Sequence, residues 1–270
     1  MELPIIKTQV AQVGFNDHRF RGKSVFNDLV GHSNLTEIIA LSISKHSLQA
    51  DDIDMLNDIA AVMTIADPHI WPLKISRMAA GYGSFLQGVA AGLVSVQEMF
   101  IGPATCNTTA QMLVEFGEKL GDTFSPSQVE SLLRIYCTKQ EGHSGYQGLP
   151  KGFGIPFKDF DDRLVVLESC VQKRNKHNHR FWRLLLAIKE VSAQKFSMVP
   201  NIYLGSPAVL LDLGFRAEDA SALIVSLIHA TFTSNAIEAV REPQPVLREL
   251  PGEFIEYVGR EDRVSPRDSI

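Results

Sequence analysis

The chain is short of several things at once. Its three cysteines, Cys106, Cys137 and Cys170, are scattered and odd in number, which argues against a disulfide framework and for a reducing compartment. No stretch reaches the ~18 uncharged apolar residues of a membrane span. The start, MELPIIKTQVAQVGFNDHRF, lacks a basic region followed by an apolar run, so no signal peptide is expected. Excess positive charge is missing too: the net charge is −5 and the pI about 5.9, which gives no global field for nucleic acid or an anionic membrane. Alternating β-branched residues are scarce, and no internal repeat or low-complexity tract occurs. These absences leave a soluble cytoplasmic protein as the expectation.

What is present is helical periodicity. In ADDIDMLNDIAAVMTIAD (50–67), Ile53, Leu56, Ile59, Ala60 and Met63 recur at helical spacing, with Asp51 and Asp52 in the first turn. The stretch 71–100 carries Gly81, Gly83, Gly88 and Gly92. Each helical glycine costs about 1 kcal/mol relative to alanine, so these need a packing reason, and close approach of another helix would supply one. They predict two helices, or one broken near Gly81 to Gly83. Pro103 marks a boundary. Ser125-Pro126-Ser127-Gln128 has the form of a capping box with proline at the first helical position, which opens a helix expected to end at Gly142. A loop over 143–160 precedes helices over 161–176 and 178–197. The segment 217–240 is apolar around most of its circumference and reads as one interior helix. The proline-punctuated tail should wrap over the surface. The fold class is mainly α.

Several motifs then occur in a telling order. They are FRGKSVFNDLVGHSNLTEIIALSISKHSL, TIADPHIWPLKISRMAAGYGSFLQGVAAGL, the loop GLPKGFGIPFKDFDDR (148–163), PNIYLGSPAVLLDLGF (200–215) and LRELPGEFIEYVG. Together, over roughly 20 to 260, they resemble the citrate synthase family, especially its short citryl-CoA lyase-like members. The resemblance implies a large helical domain from 1–104 and 213–270, a small helical domain from 105–212, and a ligand cleft between them. It also implies a homodimer, with Arg248 reaching the neighbouring site.

The family's chemistry needs a carboxylate base, histidines that stabilise an enolate and polarise a carbonyl, and arginines that hold carboxylates. Here the matching positions depart. Thr105 stands at the first histidine and Ile155 at the histidine of Gly-Phe-Gly-His-Pro. Tyr203 stands at the aspartate of Pro-Asn-Val-Asp, and Leu227 at the arginine of the late helix. None of these can act as a carboxylate base near neutral pH. Other matches survive. Lys158, with Gly152 and Gly154 shaping the loop, would meet the CoA thioester. Arg163 and Arg248 would hold a di- or tricarboxylate through bidentate contacts, although Asp162 replaces the proline of Asp-Pro-Arg.

His69, His229 and Tyr203 are the candidates to stand in for the lost catalytic groups. Each has a plainer alternative: a structural histidine at a helix start, a hydrogen-bonded core histidine, a packed ring. For Lys158, Asp161, Asp162 and Arg163 that alternative is a salt-bridged helix start. The run KRNKHNHRFWR (173–183) reads as an inter-helix turn rather than a nucleic-acid contact. His177 and His179 are spaced by two and share no helical face, so no metal site is expected. Nothing adjacent activates Cys106 as a nucleophile.

Two functions of different class follow. The first is an acyl-CoA-dependent lyase or acyltransferase that breaks or makes a carbon–carbon bond on a CoA thioester of a hydroxy-polycarboxylic acid, with altered catalytic residues and no metal. The second is a catalytically silent homodimer that binds acyl-CoA or dicarboxylate as a sensor or partner protein.

Overall fold

The computed structural model describes residues 5–44, 48–64, 68–97, 102–140, 148–155, 158–244 and 251–260. Among them are three short strands, β1 (Ala11–Val13), β2 (His18–Phe20) and β3 (Lys23–Ser24), joined as one antiparallel sheet in that order. Everything else of regular structure is helical, as the scarcity of β-alternation predicts.

The helices are α1 (Leu35–Ile43), α2 (Ala50–Met63), α3 (Trp71–Tyr82), α4 (Phe85–Gln97), α5 (Ala104–Leu120), α6 (Pro126–Gln140), α7 (Asp162–Lys173), α8 (Arg180–Phe196), α9 (Ile202–Asp212), α10 (Ala220–Leu227) and α11 (His229–Arg241). The break between α3 and α4 falls at Gly83, as the glycines predict. The capping box opens α6: Ser125 N donates to Gln128 Oε1 at 2.8 Å, and Gln128 N to Ser125 Oγ at 3.4 Å. The expected end of that helix at Gly142 lies outside the described residues.

Two helical features differ from the sequence reading. No helix was expected directly after Pro103, yet α5 starts there and is buried through Cys106, Ala110, Leu113, Phe116 and Leu120. Their three-to-four spacing was the available signal. The expected single helix over 217–240 is instead a 3-10 turn, α10 and α11, parted at Ile228. The physical reason is that the two halves face different neighbours. α10 packs on α1, α2 and α5, whereas α11 packs on α3 and α4. Ala217–Arg241 as a whole is apolar and long enough to cross a bilayer by length and composition. It instead delivers Leu223, Ile224, Phe232 and Ala236 to the core.

The glycines of α3 and α4 are used within the chain. A Cβ on Gly88 would lie 2.5 Å from Ala80 Cβ, 2.7 Å from the Ser76 carbonyl oxygen and 3.0 Å from Ala236 Cβ. One on Gly92 would lie 2.8 Å from Phe232 Cε1. Their absence of side chain lets α4 seat against Ser76 and Ala80 of α3 and against Phe232 and Ala236 of α11. Buried Arg77 fastens α3 to α11 through Asn235 at 3.2 Å and Glu238 at 3.1 Å. One contiguous buried cluster runs from Ala40 in α1 to Ala239 in α11.

The basic run 173–183 is a turn tied to the body of the protein. Arg174 reaches Asp54 and Asp58 at 3.0 and 2.5 Å, and Lys176 reaches Asp52 at 2.6 Å. Arg180 donates to the Gly117 carbonyl oxygen at 2.7 Å. The tail from 251 to 260 is exposed throughout.

Candidate functional site

The loop that leads into α7 folds back on the start of α9. Gly152 and Gly154 have φ of +90° and +74°, the left-handed region that glycine enters without strain. The turn also needs them small: a Cβ on Gly152 would lie 2.7 Å from Thr109 Cγ2. Between them Phe153 is buried and pairs with Pro200 as an isolated bridge. Asn201 then stitches the loop down. Its backbone N donates to the Gly152 oxygen at 2.9 Å, and its Nδ2 to the Gly154 oxygen at 2.8 Å. Ile155 follows, half-buried. Tyr136 Oη anchors the outer side of the loop through the Lys151 oxygen at 3.1 Å.

Asp161 is the centre of the arrangement. Its carboxylate accepts from Arg163 N at 3.1 Å, at the start of α7, and from Ile202 N at 2.8 Å, at the start of α9. It also takes both donors on one edge of Arg163, Nε and Nη2, each at 2.9 Å. An anion at two helix starts and on a guanidinium fork is held by three favourable interactions at once. The side chains of Asp161 and Arg163 are 0% and 12% exposed. Burial pulls the Arg163 pKa down, but the hydrogen bonds to Asp161, the charge interactions with Tyr203 and Asp161 and a hydrogen bond to Tyr203 together outweigh it, and the group stays above its ordinary value.

Tyr203 lies under this pair, with its ring centre 5.7 Å from Arg163 Cζ. Its backbone oxygen accepts from Thr109 Oγ1 at 2.6 Å, which locks α9 to α5. Burial pushes the phenol up to about 12, against the opposing pull of the Arg163 charge. Tyr203 is therefore a proton donor, not a base, at neutral pH. Cys106 is fully buried and its thiol is raised by burial, so no thiolate forms there.

The structure thus joins Arg163, Tyr203, Gly152 and Gly154 of the sequence-nominated residues around Asp161. Lys158 stands at the rim, half exposed, with its Nζ 2.5 Å from Asp162 Oδ2. That hydrogen bond holds the Asp162 carboxyl below the usual range. His69 and His229 are exposed. They mark the starts of α3 and α11, which run the same way, since Arg77 meets Glu238 and Gly81 lies against Ala239. Thr105 and Leu227 are buried, at the start of α5 and the end of α10. Arg248 lies outside the described residues. Among the described residues no group of three or more His, Cys, Asp and Glu side chains could hold a metal ion.

Of Asp161, Thr109 and Asn201, only Asp161 was named from sequence, weighed with its neighbours between anion binding and a salt-bridged helix start. The first and last carry a recognisable signal, an acid or amide just before a helix. Thr109 carries none.

No family model and no curated protein matches the chain in sequence. Solved structures do match in shape. Citryl-CoA lyase from Hydrogenobacter thermophilus superposes with a TM-score of 0.77 at 18% identity, over 98% of this chain and 99% of that one. ATP citrate lyase from Methanosaeta concilii gives 0.70 at 15% identity, over 99% of this chain and 43% of that one. This chain therefore spans less than half of that protein. Citrate synthase from the thermophilic archaeon Thermoplasma acidophilum gives 0.63 at 16% identity, over 87% of this chain and 60% of that one. With its glycine loop, its capped α7 and α9 and its nearly all-helical core, the chain has the citrate synthase-like fold.

Proposed function

We propose that the protein binds a CoA thioester together with a carboxylate acid, and makes or breaks a carbon–carbon bond on a CoA thioester of a hydroxy-polycarboxylic acid. The observation that carries this reading is the glycine loop, with Arg163 and Tyr203 packed where α5, α7 and α9 meet. The neighbours add support. The M. concilii ATP citrate lyase was solved with (3S)-citryl-CoA, and the T. acidophilum citrate synthase with carboxymethyl coenzyme A and oxaloacetate. Lys158, Gly152 and Gly154 would face the thioester, and Arg163, with Arg248, the carboxylate. His69, His229 or Tyr203 would replace the lost proton-moving groups. The proposed domains are 1–104 with 213–270, and 105–212, and the proposed compartment is the cytoplasm.

A second reading, a silent acyl-CoA or dicarboxylate binder, is favoured by one feature. Within the Asp161–Arg163–Tyr203 contact the carboxylate and the guanidinium are paired with each other, and burial pushes the Tyr203 phenol up to about 12. We also propose a homodimer. Trp71, Met78 and Tyr82 of α3, with Leu86 and Val94 of α4, are 41–76% exposed and form the apolar face that a second copy would cover. Light scattering at micromolar concentration tests that assembly.

Acetyl-CoA in deuterated buffer with a 2-oxoacid separates the two functions. Deuterium entering the acyl methyl, or a condensed product, supports the enzyme. Bound acetyl-CoA without exchange supports the silent binder. No binding of any CoA thioester removes the enzyme and the acyl-CoA binder, and leaves only a dicarboxylate binder.

A further inference from the structure

We infer that two copies of the chain exchange C-terminal segments, with residues 255–257 of each copy adding a fourth strand to the free edge of β1 in the other. This goes beyond the proposed homodimer: it rests on two copies meeting, but it does not use the α3–α4 face.

β1 is an edge strand. Among the described residues it pairs only with β2, with Ala11 opposite Phe20, Gln12 opposite Arg19 and Val13 opposite His18. The ladder is bonded on either side of these pairs. Arg21 N donates to the Val10 oxygen at 2.7 Å, and Gly14 N to the Asp17 oxygen at 3.0 Å. Antiparallel alternation therefore turns the N–H and C=O of Ala11 and Val13 outward. Natural edges are guarded by charge, proline or a bulge, and Ala11-Gln12-Val13 has none of these. Val13 is 82% exposed, and Phe15 in the turn beyond it is fully exposed. An open edge of this kind accepts a further extended segment.

The C-terminal segment has the matching shape. Ile255 lies in extended backbone, with φ −120° and ψ 111°, and 255–258 take no helix or turn. Phe254, Ile255, Tyr257 and Val258 are 67–86% exposed, and a cluster of large apolar side chains in water marks a contact surface. No ladder joins 251–260 to β1 of the same chain among the described residues, so the cover comes from a second copy. A two-fold axis then makes the exchange twice.

Pattern and charge both fit. Gln12 and Arg19 share one face of the sheet, and Ala11, Val13, His18 and Phe20 take the other. Laid antiparallel along β1, Ile255 falls beside Val13 and Tyr257 beside Ala11. Glu256 then falls beside Gln12, about 10 Å across two strand spacings from Arg19, whose long side chain can span the gap. Residues 5–24 hold Lys7, Arg19, Arg21 and Lys23 against Asp17, whereas 251–260 hold Glu253 and Glu256 against Arg260. In a chain of net charge −5, a basic hairpin and an acidic tail attract each other and repel their own kind.

The experiment is oxidation of the full chain carrying Gln12→Cys and Glu256→Cys. Facing residues at such a position stand about 4.5 Å apart, within the span of a disulfide. We expect a covalent dimer on a non-reducing gel from the double variant and from neither single variant, which also controls for the native cysteines. By analytical ultracentrifugation, Arg19→Glu and Glu256→Lys should each weaken dimerisation several-fold, and together restore most of it. Removing 251–270 should weaken it at least tenfold with the helical circular dichroism unchanged. A disulfide confined to single chains would mean that the tail covers its own β1, and would overturn the exchange. A dimer that forms no cross-link and ignores both charge reversals also overturns it, but leaves the α3–α4 assembly standing. A monomer at every concentration defeats both.

Discussion

The α3–α4–α11 pack and the α5–α7–α9 junction both exclude water, and they do it by opposite means. In the first, side chains are removed. Gly88 and Gly92 let three helices approach until backbone and methyl groups touch, and the gain is dispersion at short range. In the second, polar groups are brought in and satisfied. A buried carboxylate, a guanidinium, an amide and a hydroxyl make hydrogen bonds between 2.6 and 3.1 Å. Close packing tolerates no added atom, and a buried polar network tolerates no missing partner. The two regions should therefore fail to opposite kinds of substitution.

The sharpest break in that contrast is Asp161→Ala. It leaves Arg163 buried and unpaired and Ile202 N without its acceptor, and should lower stability by about 3–5 kcal/mol, read as a shift of the urea midpoint. A loss under 1 kcal/mol would mean the junction is not the tight network described. Next comes Gly88→Val. Its Cβ meets the Ser76 carbonyl oxygen, which cannot yield, and the expected cost is about 1–3 kcal/mol. Thermal unfolding by circular dichroism measures it, and a neutral result would show that α4 can move away from α3.

Alkaline titration probes the junction more gently. With the Tyr203 phenol at about 12 in the folded protein, the unfolded chain releases that proton first, near pH 10. Above that point the unfolded state binds fewer protons, so stability falls as pH rises from about 10 to 12. In Tyr203→Phe this part of the loss should vanish, and unfolding midpoints at pH 9 and 11 reveal it. The smallest effect belongs to the rim. Lys158→Ala breaks only a half-exposed ion pair, which is worth about 0–1 kcal/mol, and a stability change above 2 kcal/mol would place that lysine inside the network.

How much of this could be read beforehand varies with the kind of force. The α3–α4 break was legible because glycine in a helix is locally costly, so Gly83 announced itself. The α6 capping box was legible because its partners sit three residues apart. The split at Ile228 was not, since both halves are equally apolar and only their separate neighbours, α5 and α3, part them. Helix α5 was passed over although its spacing was regular. Thr105, Ile155 and Tyr203 were visible as letters. Their consequence was not, because it depends on Asp161 crossing 41 positions to cap Ile202.

By itself the sequence determined the helical class and the main caps and breaks. All of these follow from residues within a few positions of each other, where backbone geometry and local hydrogen bonding decide. Only the tertiary structure decided that the glycines serve contacts within the chain, that His69 and His229 are exposed, and that one edge of Arg163 is held by its own aspartate. Those outcomes hang on contacts between residues distant in the chain, and burial then multiplies the strength of each charge that is paired and the cost of each that is not.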